Sequence, residues 1–326
     1  MITFPTTPEE ALAAEGSYRA GGTDLMDLRH LGRRGGDTVD LRDVAGLDAV
    51  EPTPGGGLRI GARITVAALA EHPAVRAGYP ALAMTAGGLA TPQIRARGTL
   101  GGNLLQDARC WYFRNPTFRC LKAGGSTCFA REGDNLFHSV FDQGPCVAIH
   151  PSSLGMALMA WDAQVDIAGG ASRTVAALMG DGRDPRRTHT LEPGALITAV
   201  LLPPPHPGDR STYFRAIHRA RAEWPLVEVV ARLVVDGSRI GAAAVTVGGV
   251  ANTPLRLAQV EAALLGQPAT QGTLDTASAK AADGASPLSM TGYKVDLVKG
   301  AVLTALEQAL ASAPVTAAAG GEGGAL

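Results

Sequence analysis

Ala20-Gly21-Gly22-Thr23-Asp24-Leu25 and Thr99-Leu100-Gly101-Gly102-Asn103-Leu104 state one pattern twice, about eighty residues apart: a glycine pair flanked by hydroxyl, carboxyl or amide side chains. Glycine lets backbone N–H groups approach a phosphate closely, and successive amides form an anion-binding nest. A helix starting near Thr23, which is expected to cap Asp24–Leu31, adds its positive N-terminus to the first run. Two such loops can hold one pyrophosphate from both sides. Neither run reads G-x-G-x-x-G, and no G-x-x-x-x-G-K-[ST] occurs, so a Rossmann site and a P-loop are unsupported. Ordinary tight turns remain the plain alternative for either run alone.

Around these runs the chain reads as short β/α units. Strands are expected at Ser17–Ala20, Thr38–Leu41, Leu47–Glu51 and Leu58–Gly61, and helices at Thr65–Glu71, Pro80–Leu89 and Ser153–Trp161. Gln164–Ile167 and Leu196–Leu202 read as further strands. Pro203-Pro204-Pro205 with Pro207 is the clearest linker. Beyond it, Leu226–Val235, the turn Asp236-Gly237 and Ile240–Val250 spell an antiparallel hairpin. Leu255–Leu264 and Asp296–Leu310 are amphipathic helices.

Gln106–Pro145 has no convincing periodicity, and a loop that long needs an ordering element. It carries Cys110, Cys120 and Cys128, with Cys146 just beyond, which are all four cysteines of the chain. Their gaps of nine, seven and seventeen residues lack the close pairs of a zinc knuckle. Wide, unequal gaps better suit a [4Fe–4S] cluster wrapped by one loop. Buried free thiols are the bland alternative. Trp111, Phe113, Phe118 and Phe129 can exclude water there. Arg109, Arg114, Arg119 and Lys122 can balance a negative cluster, or form a solvated face. His138 and His150 are cluster neighbours or structural histidines.

The chain has 326 residues, a formal charge of −1 and 18% charged residues. The near-zero charge argues against a nucleic-acid partner, and the low charge fits a subunit covered by others. No run is long and apolar enough to span a membrane. The N-terminal stretch lacks a basic segment followed by an apolar one, so no secretory signal is expected. No H-E-x-x-H or Ser-His-Asp pattern and no paired carboxylates are visible, so no catalytic residue is assigned.

The two glycine runs in this order resemble the FAD-binding subunit of molybdenum hydroxylases, the family of xanthine dehydrogenase, aldehyde oxidoreductase and carbon monoxide dehydrogenase. Gly248–Leu257, followed by Glu261 and Leu264, is similar to the start of that family's C-terminal flavoprotein domain. Tyr293-Lys294-Val295-Asp296 resembles a motif before its last helix. Most members run directly from the second glycine run into Ser-Asp-Leu. Here residues 106–149 are inserted, and C-W-Y-F-R with Cys120, Cys128 and C-V-A-I-H-P is similar to the subset whose flavin subunit carries a [4Fe–4S] cluster. The bacterial periplasmic aldehyde oxidoreductases are the closer likeness.

The resemblance implies an α+β fold: a two-lobed FAD-binding domain of the vanillyl-alcohol-oxidase-like type, plus a C-terminal α+β domain with a small antiparallel sheet. The expected divisions are residues 1–60 and 61–204 for the two lobes, 106–149 for the cysteine insertion, 210–312 for the C-terminal domain and 313–326 for a flexible tail. Arg19, Ala20, Gly21, Gly22, Thr23, Asp24 and Leu25 are expected to line the FAD, with Thr99, Gly101, Gly102 and Asn103 approaching from the other side. Ser153 stands where the family has an acidic FAD contact. Ile197 and Arg215 match positions beside the flavin ring. Cys110, Cys120, Cys128 and Cys146 are the implied cluster ligands.

The implied role is electron transfer within a heteromeric complex. A large molybdenum–pterin subunit oxidises the substrate, a small subunit carries two [2Fe–2S] clusters, and an external acceptor receives the electrons. The expected compartment is the cytoplasm, or the periplasm if a partner carries the export signal. A stand-alone flavin oxidase and a zinc-binding scaffold are the alternative readings.

Overall fold

The computed structural model describes residues 1–316. Its twelve strands are β1 Ile2–Thr3, β2 Ser17–Arg19, β3 Thr38–Asp40, β4 Val50–Pro52, β5 Leu58–Gly61, β6 Gln164–Ile167, β7 Arg173–Thr174, β8 Ile197–Leu202, β9 Asp209–Ala216, β10 Val227–Asp236, β11 Arg239–Gly248 and β12 Leu255–Arg256. They form three separate sheets.

The first lobe is a parallel sheet in the order β1-β3-β2. Parallel strands need crossover connections; the chain passes from β1 to β2 through the helix Pro8–Ala13, whose N-cap Thr7 accepts from Glu10 N, and β3 then pairs between the two. The expected helix after the first glycine run forms at Leu25–His30. Its N-cap is Asp24 without a side-chain cap bond, so Thr23 does not cap it.

The second lobe is an antiparallel sheet in the order β4-β5-β8-β6-β7. β4 and β5 thus belong to this sheet, although the sequence placed them with residues 1–60. Leu58 pairs with Leu202 and Gly61 with Ala199, and both Leu58 and Ile60 are buried in the second core. The lobe boundary therefore falls before Val50. Helices Val66–Glu71, Pro80–Gly88 and Ser153–Met159 share a core with this sheet, and the last two also pack against the strands β9 to β11. The helix Ser153–Met159 is buried along its whole length. Trp161 packs edge-on against Tyr79, with ring centroids 5.8 Å apart.

The third unit is the antiparallel sheet β12-β11-β10-β9. The hairpin turns at Asp236-Gly237, where Gly237 takes φ +57°. Alternate residues of β10 point to opposite faces. Val229, Ala231 and Leu233 face the helix Tyr293–Ala311 and its neighbours, whereas Val230 joins Tyr213 and Ala244 in the core of the second lobe. The helix expected from Leu255 starts at Ala258, because Leu255 and Arg256 pair with Val247 and Thr246. The expected tail is packed where it begins: Val315 is buried and exchanges backbone hydrogen bonds with Gly208 and Asp209. Residues 317–326 lie outside the described residues.

The insertion holds only two short turns, Trp111–Arg114 and Leu121–Ala123. It packs Cys110, Ala108, Phe113, Cys120 and Cys146 against Leu28 of the first lobe.

Candidate cofactor site

The two glycine runs meet. A Cβ on Gly21 would lie 1.8 Å from Arg97 O, so only glycine lets the first turn touch the backbone leading into the second. Gly22 takes φ +75°, a conformation that glycine adopts without strain. The second run is a single helical turn, Leu100–Leu104, rather than an open loop. Thr99 caps it by accepting from Gly102 N at 3.2 Å. Gly101 packs on the backbone of Ala62, donating to Ala62 O at 2.7 Å.

A cleft of about 490 Å³ opens at this junction, lined by Arg19, Ala20, Gly21, Gly22 and Thr99. Arg42, Arg63, Thr65, Arg97 and the carboxylate of Asp40 complete it. Burial pushes the Asp40 carboxyl upward, but hydrogen bonds from Arg42 and Arg19 outweigh it and hold it below its usual value. Four guanidinium groups against one carboxylate leave the cleft positive, which suits a pyrophosphate. Arg63 Nε is buried without a hydrogen-bond partner, so a donor stands unused in this wall. Arg42, Arg63 and Arg97 were not among the expected site residues. Their only sequence signal is basic character, which does not reveal that the backbone brings them together.

The other expected site residues make contacts within the chain. Asp24 accepts from Arg114 at 2.7 Å and from the Asp107 backbone at 2.8 Å, and pairs with Arg109 at 2.9 Å, anchoring the insertion. Thr23 is exposed and Leu25 begins its helix, neither lining the cleft. Gly102 is open to solvent. Asn103 Oδ1 accepts from Ser152 Oγ at 2.8 Å and helps cap the helix Ser153–Met159. Ser153 Oγ donates to the buried Glu228 at 3.0 Å, and Tyr213 donates to the other Glu228 oxygen at 2.8 Å. Burial raises the Glu228 carboxyl against these two donors. Ile197 is a core residue of β8. Arg215 donates to the carbonyls of Gly88, Arg221 and Glu223 and so clamps the loop after β9.

That loop borders a second cleft of about 240 Å³, lined by the indoles of Trp111 and Trp224 with Phe137, His138, Ile149 and Pro151. Arg109 lies 5.1 Å above the Trp224 ring. Cys110 forms part of the same wall.

The four cysteines line one chamber together, with Tyr112, Phe113, Leu121, Lys122, Phe129 and Ala148. The chamber is narrow, about 10 Å³. Cys128 and Cys146 are neighbouring thiols that titrate as a pair: their interaction lowers the Cys128 thiol and raises the Cys146 thiol. Burial pushes Cys110 up to about 11. Among the described residues no group of three or more Cys, His, Asp or Glu is arranged around a single metal ion. Of the two histidines near the insertion, His150 is structural. Its Nδ1 accepts from Ser152 N at 3.1 Å while Nε2 donates to Thr188 O at 3.0 Å.

The family described as the FAD binding domain in molybdopterin dehydrogenase matches residues 4–205. The CO dehydrogenase flavoprotein C-terminal domain matches residues 212–309. The chain belongs to this FAD-binding subunit family of the molybdenum hydroxylases. Like its relatives it is an oxidoreductase flavoprotein subunit of the aldehyde oxidoreductase and xanthine dehydrogenase type. It is 36% identical over 321 residues to the aldehyde oxidoreductase FAD-binding subunit PaoB of Escherichia coli, covering 94% of this chain and 97% of that one. The nicotinate dehydrogenase FAD-subunit of Eubacterium barkeri is 23% identical over 83% of this chain and 81% of its own. Carbon monoxide dehydrogenase from Hydrogenophaga pseudoflava has the same fold, with a TM-score of 0.75 at 21% identity over 95% of this chain and 96% of its own. The α+β architecture expected from the glycine runs is thus the architecture of the family.

Proposed function

We propose that this subunit carries a [4Fe–4S] cluster beside its FAD and serves as the electron outlet of an aldehyde-oxidising molybdenum hydroxylase. The observation that carries the reading is the convergence of Cys110, Cys120, Cys128 and Cys146, spread over 37 residues, on one chamber. The gaps of nine, seven and seventeen residues between the cysteines lack the close pairs of a zinc knuckle. A cubane takes one thiolate at each of four corners and suits a wider ring of ligands. The four sulfurs would hold the cluster as thiolates, so loading would release their protons.

When bound, the flavin and the cluster supply the redox chemistry; the chain's own residues hold and orient them. Arg19, Arg42, Arg63 and Arg97 neutralise the pyrophosphate, while Gly21 and Gly22 let backbone amides approach it. The second cleft, with two indoles and Phe137, offers a flat apolar seat for the flavin ring, and Arg215 shapes its rim through the loop it clamps. Electrons taken from an aldehyde at a large molybdenum–pterin subunit arrive through a small subunit with two [2Fe–2S] clusters and leave to an external acceptor. The 36% identity to a subunit named for aldehyde oxidoreductase supports this substrate class.

The test is metal and sulfide analysis of the anaerobically purified complex. About four irons and four sulfides beyond the partner's clusters are expected, lost in each single Cys-to-Ser variant. Zinc at one per chain without labile sulfide would refute the cluster.

A further inference from the structure

We propose that His138 sets the potential of the cluster by a hydrogen bond to Cys110, the one ligand that faces the second cleft. The inference rests on the cluster reading above. His138 Nε2 lies 3.2 Å from Cys110 Sγ. Among the described residues it is the one side-chain N–H aimed at a cysteine sulfur. His138 Nδ1 is buried without a partner. A ligating thiolate only accepts, so the proton sits on Nε2 and the imidazole donates.

The ring is held in place from several sides. His138 is 3% exposed, and the Trp111 indole stands edge-on to it at 5.0 Å. The His138 amide donates to Asn135 O at 2.9 Å. Asn135 is itself fully buried, donating to Ala130 O and accepting from Met290 N, both at 3.0 Å. Next along the chain, Lys294 grips the Phe137 carbonyl at 3.2 Å. This much support for one imidazole fits a side chain whose direction matters.

Its place explains what the bond does. Cys110 and His138 both line the second cleft, whereas Cys120, Cys128 and Cys146 line only the chamber. The bond therefore acts on the sulfur in the wall shared by the two spaces. A donor to a cluster thiolate stabilises the more negative, reduced cluster more than the oxidised one, which raises the potential.

The experiment is a redox titration of the anaerobic complex, followed by the low-temperature EPR signal that C110S lacks. In H138L, iron and sulfide contents should match wild type. The reduced-to-oxidised ratio of the cluster at a fixed poise should fall about tenfold, or 59 mV for a one-electron couple. H138Q, which keeps an N–H donor, should recover most of the shift. An H138L cluster at the wild-type potential overturns the inference and leaves the cluster reading standing. A wild-type complex without the four additional irons overturns both. If H138L loses its cluster, pulsed EPR of wild type with isotopically labelled histidine decides. Coupling of one imidazole nitrogen to the reduced cluster supports the bond, and its absence overturns it.

Discussion

Arg114 Nη2 donates to Asp24 Oδ1 at 2.7 Å, joining the cysteine insertion to the first glycine run across ninety residues of sequence. Both side chains are largely buried, 12% and 16% exposed, and Arg109 shares the same carboxylate. Breaking such a network leaves guanidinium groups without their counter-charge, at a cost of roughly 2–4 kcal/mol. D24N should therefore lower the urea midpoint and expose the insertion to trypsin, with FAD loss following the loosened loop. A D24N protein with wild-type unfolding and protease resistance would show that the insertion does not depend on this link.

The glycine pair separates into two different requirements. G21A drives a methyl into Arg97 O and pushes the two runs apart; overpacking of this kind costs about 2 kcal/mol or more, roughly thirtyfold in FAD affinity. At Gly22 the added methyl meets only the side chains of Met26 and Arg19. There the left-handed backbone alone costs about 1–2 kcal/mol. Flavin absorbance of the purified variants should rank wild type above G22A above G21A. The reverse order would contradict the contact between the runs.

Ser153 stands where relatives are expected to have an acid, and Glu228 now fills the space beside it. S153A removes one of two donors to a buried carboxylate and should cost about 1–3 kcal/mol. S153D, which restores the family residue, should be worse, because two carboxylates then meet in one buried site. Pairing S153D with E228Q should recover stability. Thermal melts of the four proteins decide this, and additive single and double effects would dismiss the coupling.

Lys294 is fully buried, and burial lowers its pKa from 10.5 to about 7. Its ammonium donates to Gly249 O at 2.7 Å and to Phe137 O at 3.2 Å. Between those two pKa values the unfolded chain binds more protons than the folded one, so stability rises with pH across that window. Relative to K294M, wild type should gain stability from pH 7 upward, through about pH 9. A constant difference between the two proteins over that range would mean that Lys294 does not titrate this way.

The glycine runs, the hairpin at Asp236-Gly237 and the clustering of four cysteines were legible because each is a local statement. Glycine pairs, a turn dipeptide and alternating apolar residues dictate backbone conformation within a few residues of themselves. Periodicity likewise located the helices near Ser153 and Tyr293, with ends set by neighbours: Leu255 and Arg256 left the helical pattern because Thr246 and Val247 offered strand partners.

What side chains do across long separations was decided only by the tertiary structure. The chain's own pattern cannot tell whether Asp24 faces a cofactor or an arginine eighty-five to ninety residues away, nor that Asn103 is used up in capping the helix after the insertion. It did not place β4 and β5 in the second sheet, since strand pairing is a non-local choice made by β8. It did not gather Arg42, Arg63 and Arg97 around the glycine turns. A residue's type limits which bonds it can make, but which of them it makes depends on the partners that folding brings within 3 Å.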